Sequence, residues 1–333
     1  MTKILHKVKI AVISASCGAL GLGSGAIFST EALAQAYPTK PIRIVVTSAS
    51  GSGPDIVARL IGGKLVEAFG QPVVVDNRAG ASGRIGAEVA AKSTPDGYTL
   101  LMLTSQLTIV NAMYENLKYN LAKDFSPISL LGTATSILVV NSSVPVTSVK
   151  ELVNLAKSRP GALKYGSGGS GTSPHLTAEL FKSMTGIEIL HVPYKASSAA
   201  LTYTLTGEVD MSFQNIPSSL PLIKRGELRA LGVTSLNRTP LVPDLPSISE
   251  TVPGFEFTNW WSLVAPAKTP SAILSKLNAE VVKAVNTSAV RERMAGLGIE
   301  PLGTSQQDLA LHISVQLEKM KEAVKLIGAR PEG

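Results

Sequence analysis

Ile42-Arg43-Ile44-Val45-Val46-Thr47-Ser48-Ala49-Ser50-Gly51-Ser52-Gly53-Pro54-Asp55 runs from a β-branched strand through a glycine–serine loop into a proline-opened helix. A second stretch repeats the plan: Leu163 to Gly166 reads as a strand, and Gly166-Ser167-Gly168-Gly169-Ser170-Gly171-Thr172-Ser173 leads into Pro174-His175. Both place small residues where a helix is capped and proline where a missing N–H costs nothing. Two strand–loop–helix units of one design, one in each half of the chain, set the expectation for everything around them.

Outward from these loops, short β-rich runs alternate with helix-sized amphipathic segments, the pattern of an α/β protein with largely parallel sheets. After the first loop, Pro54 to Phe69 puts Ile56, Val57, Leu60, Ile61, Leu65, Val66 and Phe69 on one helical face. Strands are expected at Val73–Val75 and Tyr98–Thr104, with a short helix from Ile85 to Lys92 between them. The pattern resumes with a strand at Ile137–Val140. Helices are expected at Ser148–Ser158, Pro174–Met184 and Ala196–Thr206, and strands at Ile187–Val192, Val209–Phe213 and Leu228–Thr234. Ser235 to Pro253 is proline-rich and reads as an irregular connector. Thr258 to Ala265 is apolar and extended, and two or three helices close the chain. The last, Ser305 to Ile327, carries a one-sided stripe at Leu309, Ile313, Leu317, Met320, Val324 and Leu326, expected to pack on the body of a domain.

Glycine and serine leave backbone N–H groups uncovered, and a helix start adds partial positive charge, so each loop suits an oxyanion. One such loop alone is a turn that any α/β protein needs. The matched pair favours a ligand held between two lobes. Asp55 has two readings, a cap on the first helical turn or a receiver for a ligand ammonium or hydroxyl. Gly166, Gly168 and Gly171 also meet the G-x-G-x-x-G spacing, with Glu188 where a ribose-binding acid would stand. The motif is weak alone and lies in mid-chain, so no nicotinamide or flavin cofactor is expected.

No G-x-S-x-G elbow and no phosphate-binding lysine loop occurs, and His175, His191 and His312 show no metal-ligand spacing. Neither catalysis nor a metal is expected. His191, in a strand, reads as a satisfied structural imidazole, whereas His175 opens the helix after the second loop and is a ligand candidate. Trp260 and Trp261 read as core or hinge packing, with a pocket wall open to one of them.

The amino terminus bears on where this fold works. Lys3, Lys7 and Lys9 precede an apolar stretch, Ile10 to Phe28, interspersed with glycine and serine. Ala32-Leu33-Ala34 or Ala34-Gln35-Ala36 then offers a cleavage site, so residues 1–36 read as an export signal and the mature protein as periplasmic. The single cysteine, Cys17, lies within that segment, in a poor lipid-attachment context, which leaves the mature chain without thiol chemistry. Formal charge is +7, and loss of the signal lowers it by two, to +5. Lysines and arginines are scattered and aromatic residues make up only 5%, so no nucleic-acid stripe forms and the mild positive field suits small anions.

Taken in order, these residues resemble the Bug receptors, the periplasmic solute-binding proteins of tripartite tricarboxylate transporters. The resemblance runs through Tyr37-Pro38-Thr39-Lys40-Pro41-Ile42, Gly53-Pro54-Asp55, Val75-Asp76-Asn77-Arg78-Ala79-Gly80-Ala81-Ser82-Gly83 and Pro95-Asp96-Gly97-Tyr98. It continues through Asp124-Phe125-Ser126-Pro127, Tyr165-Gly166-Ser167-Gly168, His191-Val192-Pro193-Tyr194-Lys195, Gly207-Glu208-Val209-Asp210 and Pro243-Asp244-Leu245-Pro246-Ser247. It implies a two-lobed periplasmic-binding fold of type II kind, with two crossover strands forming a hinge. Domain I would comprise residues 37–137 and 261–333, and domain II residues 138–260. A small organic carboxylate would sit between the lobes, held by backbone amides and hydroxyls. By that likeness ligand contact is expected at Ser48, Ala49, Ser50, Gly51, Ser52, Gly53 and Asp55, and at Thr104 and Ser105. In the second half it is expected at Ser167, Gly168, Gly169, Ser170, Thr172, Ser173 and His175, and at Tyr194, Ala196, Ser197 and Ser198. The implied partners are transporter subunits in the membrane, with a membrane signalling protein as the alternative, and the receptor is expected to be monomeric.

The chain departs from the family pattern in three places. Thr47-Ser48-Ala49-Ser50 replaces an aromatic residue and prolines, and Ala196-Ser197-Ser198-Ala199-Ala200 replaces a glycine and a later proline. Arg84 stands where a neutral polar residue is common, and a solvated role is expected for it.

Overall fold

The computed structural model describes residues 37–327; the expected export signal and its cleavage site lie outside the described residues. The first strand, β1 (Ile42–Val46), leads to helix α1 (Gly53–Phe69), strand β2 (Val73–Asn77), helix α2 (Arg84–Ala91), strand β3 (Thr99–Thr104) and helix α3 (Ser105–Met113). Strand β4 (Phe125–Asn141) is 17 residues long. It is followed by α4 (Val149–Ser158), β5 (Lys164–Ser167), α5 (Ser173–Thr185), β6 (Leu190–Pro193), α6 (Ser197–Thr206), β7 (Met211–Asn215), α7 (Ile216–Lys224) and β8 (Leu228–Val233). After the connector come β9 (Thr258–Pro266), α8 (Ser271–Val285), α9 (Ser288–Gly296), the two-residue β10 (Glu300–Pro301) and α10 (Gln306–Ile327).

Two helices escape the reading of the sequence. α3 starts at the residue after β3 ends, without glycine or proline between them, so Leu107, Ile109 and Val110 look like more strand. α7 holds Pro217 in its first turn and Pro221 inside it, and proline normally argues against a helix.

The sheets are mixed, not largely parallel. β1 pairs in parallel with β2 and β3, and β5 with β6 and β7, as crossover helices require. β9 runs antiparallel between β3 and β4, and β4 is antiparallel to every strand it touches. This follows from the path of the chain: β4 carries it out of the first lobe and β9 brings it back.

β4 belongs to both sheets. Its first part, Phe125 to Thr135, pairs with β9, and its last part, Ser136 to Asn141, lies between β7 and β8. The return crossing lies beside it. Thr234 Oγ1 is 3.1 Å from Thr135 Oγ1, and the Ser136 and Ser235 amides donate to these two hydroxyls at 2.9 Å. Phe257 N donates to Thr234 O at 2.9 Å. The hydroxyls tie β4 to the residues that follow β8, and the returning chain is tied to Thr234 in turn, so the two lobes meet at a narrow hinge.

Each sheet is covered on both faces, so successive strand residues enter different cores. Ile42, Ile44 and Val46 pack beneath α1 and α8, whereas Val45 joins Leu101, Leu103 and Trp260 on the other side. In the second lobe Leu138 and Val140 meet Tyr165, Phe181, Phe213 and Phe255, and Ile137 and Val139 meet Leu201, Ile216 and Val233. Helix α10 does more than cover one domain. Leu309 and Ile313 complete a first-lobe core, and Met320 joins Ile109 of α3, Leu176 of α5 and Phe257 in a small cluster between the lobes.

Candidate functional site

The second loop is built by internal hydrogen bonds. Ser167, fully buried at the end of β5, donates through Oγ to Gly169 O at 3.2 Å and accepts from Gly169 N at 3.1 Å. Thr172 Oγ1 donates to the same carbonyl at 2.7 Å. Gly169 and Gly171 have φ of +110° and +74°, a region that residues with a Cβ avoid. Gly168 packs so closely on α6 that an added Cβ would lie 2.8 Å from Ser197 Oγ and 2.9 Å from Ser197 N. That close approach brings Ala196 and Ser197 to the loop.

Histidines support the loop from one side. His191 Nε2 lies 2.7 Å from Ser167 Oγ, and its ring stacks on Tyr165 with centroids 4.8 Å apart. Burial, aided by the neighbouring His175, holds the His191 imidazole down at about 4, so it is neutral near pH 7. His175 Nδ1 accepts from Gly171 N at 3.2 Å, and its ring lies 4.5 Å from that of His191. Tyr165 donates to Glu179 at 2.6 Å, and Lys182 pairs with the same carboxylate at 2.8 Å. The amides of Ser170 and Ser173 have no protein acceptor among the described residues, which leaves them for solvent or ligand.

The first loop is tied differently. Asp55, 2% exposed, accepts from Gly51 N at 2.8 Å, Asn77 Nδ2 at 3.0 Å and Arg59 Nε at 3.1 Å. Burial alone would raise its carboxyl, but these donors outweigh burial and hold it at about 2. Asn77 also donates to Ser48 O, and Ser48 Oγ sits 2.7 Å from Ser52 Oγ. Gly53 faces Trp261, whose ring would be 3.7 Å from an added Cβ.

Helices α3 and α5 begin at a shared residue. Ser105 Oγ of the first lobe donates to Asn259 Oδ1 at 3.3 Å, and Ser173 Oγ of the second donates to the same oxygen at 2.9 Å. Thr104 and Ser105 are both buried.

A cleft of about 400 Å³ opens between the lobes. Ser170, Gly171, Thr172, His175 and Leu176 form its second-lobe wall; Ser82, Gln106, Val110, Met113 and Tyr114 form the other. No acidic side chain is among these lining residues. Of the expected contacts, Ser170, Thr172 and His175 lie on the wall, with Ser167, Gly168, Gly169 and Ser173 in the same loop. Ala196 and Ser197 adjoin Gly168, with Ser198 next in α6. Tyr194 stacks on Tyr203 and donates to Glu208 at 3.2 Å. Ser48 to Gly53 and Asp55 are not part of this wall. Gln106, Val110 and Met113 were missed because α3 was missed; Asn259 carried no signal beyond its place before Trp260. Among the described residues no cluster of three histidines, cysteines or acids has metal-holding geometry.

The arrangement can hold a small anion by amides and hydroxyls while apolar walls take the rest of it. Known proteins share the plan. BugT of Bordetella pertussis is 34% identical, the match covering 89% of this chain and 92% of BugT. A solved structure, R. palustris Rpa4515 with adipate, is 38% identical with a TM-score of 0.73, covering 89% of this chain and all of that one. MatC (Rpa3494) from Rhodopseudomonas palustris, with bound malate, is 29% identical with a TM-score of 0.69, over 86% of this chain and all of MatC. The pattern described as "Tripartite tricarboxylate transporter family receptor" matches residues 57–329, and the chain belongs to that family of periplasmic solute-binding receptors.

Proposed function

We propose that this chain captures a small organic carboxylate between its lobes in the periplasm and delivers it to a membrane transporter of the tripartite tricarboxylate type. The observation that carries the reading is the cleft itself. A glycine–serine loop, with the Ser170 amide unclaimed among the described residues, faces a first-lobe wall of Ser82, Gln106, Val110, Met113 and Tyr114, and none of the lining residues is acidic. Backbone N–H groups at a helix start favour a carboxylate without a dedicated arginine, and the Val110, Met113 and Leu176 side chains accept its carbon chain. The ligands of the similar receptors, adipate and malate, are of this class.

The mechanism is a population shift. Ligand touching both walls favours the closed arrangement over the open one by its extra contacts, and the partner reads the closed form. The expected ligand contacts in both glycine loops and in α6 belong to this proposal, as does removal of the export signal near Ala34 or Ala36. A thermal-shift screen of mono-, di- and tricarboxylates, amino acids and aromatic acids on ligand-stripped protein tests capture. At least one acid should raise the melting temperature saturably; none doing so overturns the reading. Pull-down on membranes with and without that acid then separates delivery to a transporter from presentation to a signalling protein.

A further inference from the structure

A second groove between the lobes encloses about 380 Å³, close to the volume of the cleft. Its first-lobe wall includes Leu302 and His312, its second-lobe wall Leu236 and Thr239. Thr135 and Thr258, partners across β4 and β9 at the hinge, line it too. The small apolar cluster of Ile109, Leu176, Phe257 and Met320 separates the two hollows. Leu176 also lines the cleft, whereas Glu256 and Thr258, on either side of Phe257 in the chain, line the groove. Phe257 is itself tied to the hinge through Thr234 O. Each hollow thus has one wall in each lobe, with the pivot between them. A rigid rotation of the lobes that narrows one widens the other.

Both walls of the groove are fastened to their own lobes. Leu302 N donates to Leu131 O at 3.0 Å, which holds Leu302 to β4. Ser249 Oγ donates to Leu236 O at 2.6 Å, and Arg238 pairs with Glu250 at 2.9 Å. Leu236 is 46% exposed and Leu302 36% exposed. A single exposed leucine is ordinary on a protein surface. Two on opposite walls of one groove present apolar area that a small rotation would hide from water.

We propose that this rear groove counterbalances the cleft: as the cleft opens, Leu236 and Leu302 meet, and their contact holds the unloaded receptor open. Closure around a captured acid must part the two leucines again. They touch no ligand, yet they lower affinity from outside the cleft and so favour release. The inference rests on the population shift proposed above and assigns the residues that oppose it.

The double variant Leu236→Ser, Leu302→Ser tests it. Both side chains are exposed in the arrangement described, so the change leaves that arrangement intact and acts on the open one. Small-angle scattering of the ligand-stripped variant should give a smaller radius of gyration than the wild type. Calorimetry with adipate, malate and any further acid that raises the melting temperature should show binding about fivefold tighter. A second variant, Leu236→Cys with Leu302→Cys in a Cys17→Ser background, should crosslink with a short bismaleimide when ligand-stripped and more slowly under saturating acid. Once linked, it should bind that acid about tenfold or more weakly. Unchanged or weaker binding by the serine variant overturns the counterbalance but leaves capture standing, as does crosslinking at a rate indifferent to acid. Binding of no acid by the wild type overturns capture, and an unchanged radius in the serine variant then overturns the counterbalance as well.

Discussion

Asp55 shows how the bonds that one side chain makes to its neighbours can be only half legible in the sequence. Its carboxylate takes hydrogen bonds from Gly51, Arg59 and Asn77, and so joins the first loop, the first turn of α1 and the end of β2. The Arg59 contact is legible in the sequence as an i, i+4 pair. The Asn77 contact is not, because it depends on β1 and β2 lying side by side. Its folded carboxyl, at about 2, is below the ordinary value of 3.8. A depressed carboxyl stabilises the fold fully above the ordinary value and loses that contribution as pH falls toward about 2. Asp55→Asn should therefore cost about 1–2 kcal/mol at neutral pH, and urea titrations of the two proteins should converge as pH drops from about 4 to about 2. His191 illustrates the opposite outcome: its structural role was legible, since a histidine within a strand faces packed neighbours, here Tyr165 and Ser167.

Among the elements, those bounded by punctuation were readable and those without it were not. β1, α1, α4 and α5 begin or end at glycine, proline or serine and fall within a residue or two of expectation. α3 grows straight out of β3, and so the first-lobe wall of the cleft was hidden while the glycine loop opposite stood in plain view. Glycines test how tightly that loop is fitted. Gly168→Ala would bring a methyl group against the backbone nitrogen of Ser197, so the loop must move off α6. Affinity for the captured acid should fall about tenfold, with a stability loss of about 1–2 kcal/mol. Gly63, inside α1, has no heavy atom within 4 Å of an added Cβ. Gly63→Ala should instead stabilise the protein by about 0.5–1 kcal/mol and leave binding alone. Chemical denaturation and calorimetry on the two variants read both effects.

For the molecule as a whole, alternation along the chain was enough to expect an α/β protein, and family likeness supplied the two lobes. What neither contained is the means of holding the lobes together. Asn259 accepts from Ser105 on one side and Ser173 on the other, and Ile109, Leu176, Phe257 and Met320 close a small apolar contact nearby. Asn259→Ala removes the shared acceptor and should shift the unliganded protein toward a more open arrangement. The radius of gyration from small-angle scattering should rise, and affinity should fall about fivefold, as expected for loss of about 1 kcal/mol of closing free energy. An unchanged radius would show that the apolar cluster alone sets the angle.

Helix α10 also concentrates risk in one place. Leu309 and Ile313 seal the layer that holds Trp260, and Met320 touches both halves, so local unwinding of this single rod would uncover greasy surface in two places at once.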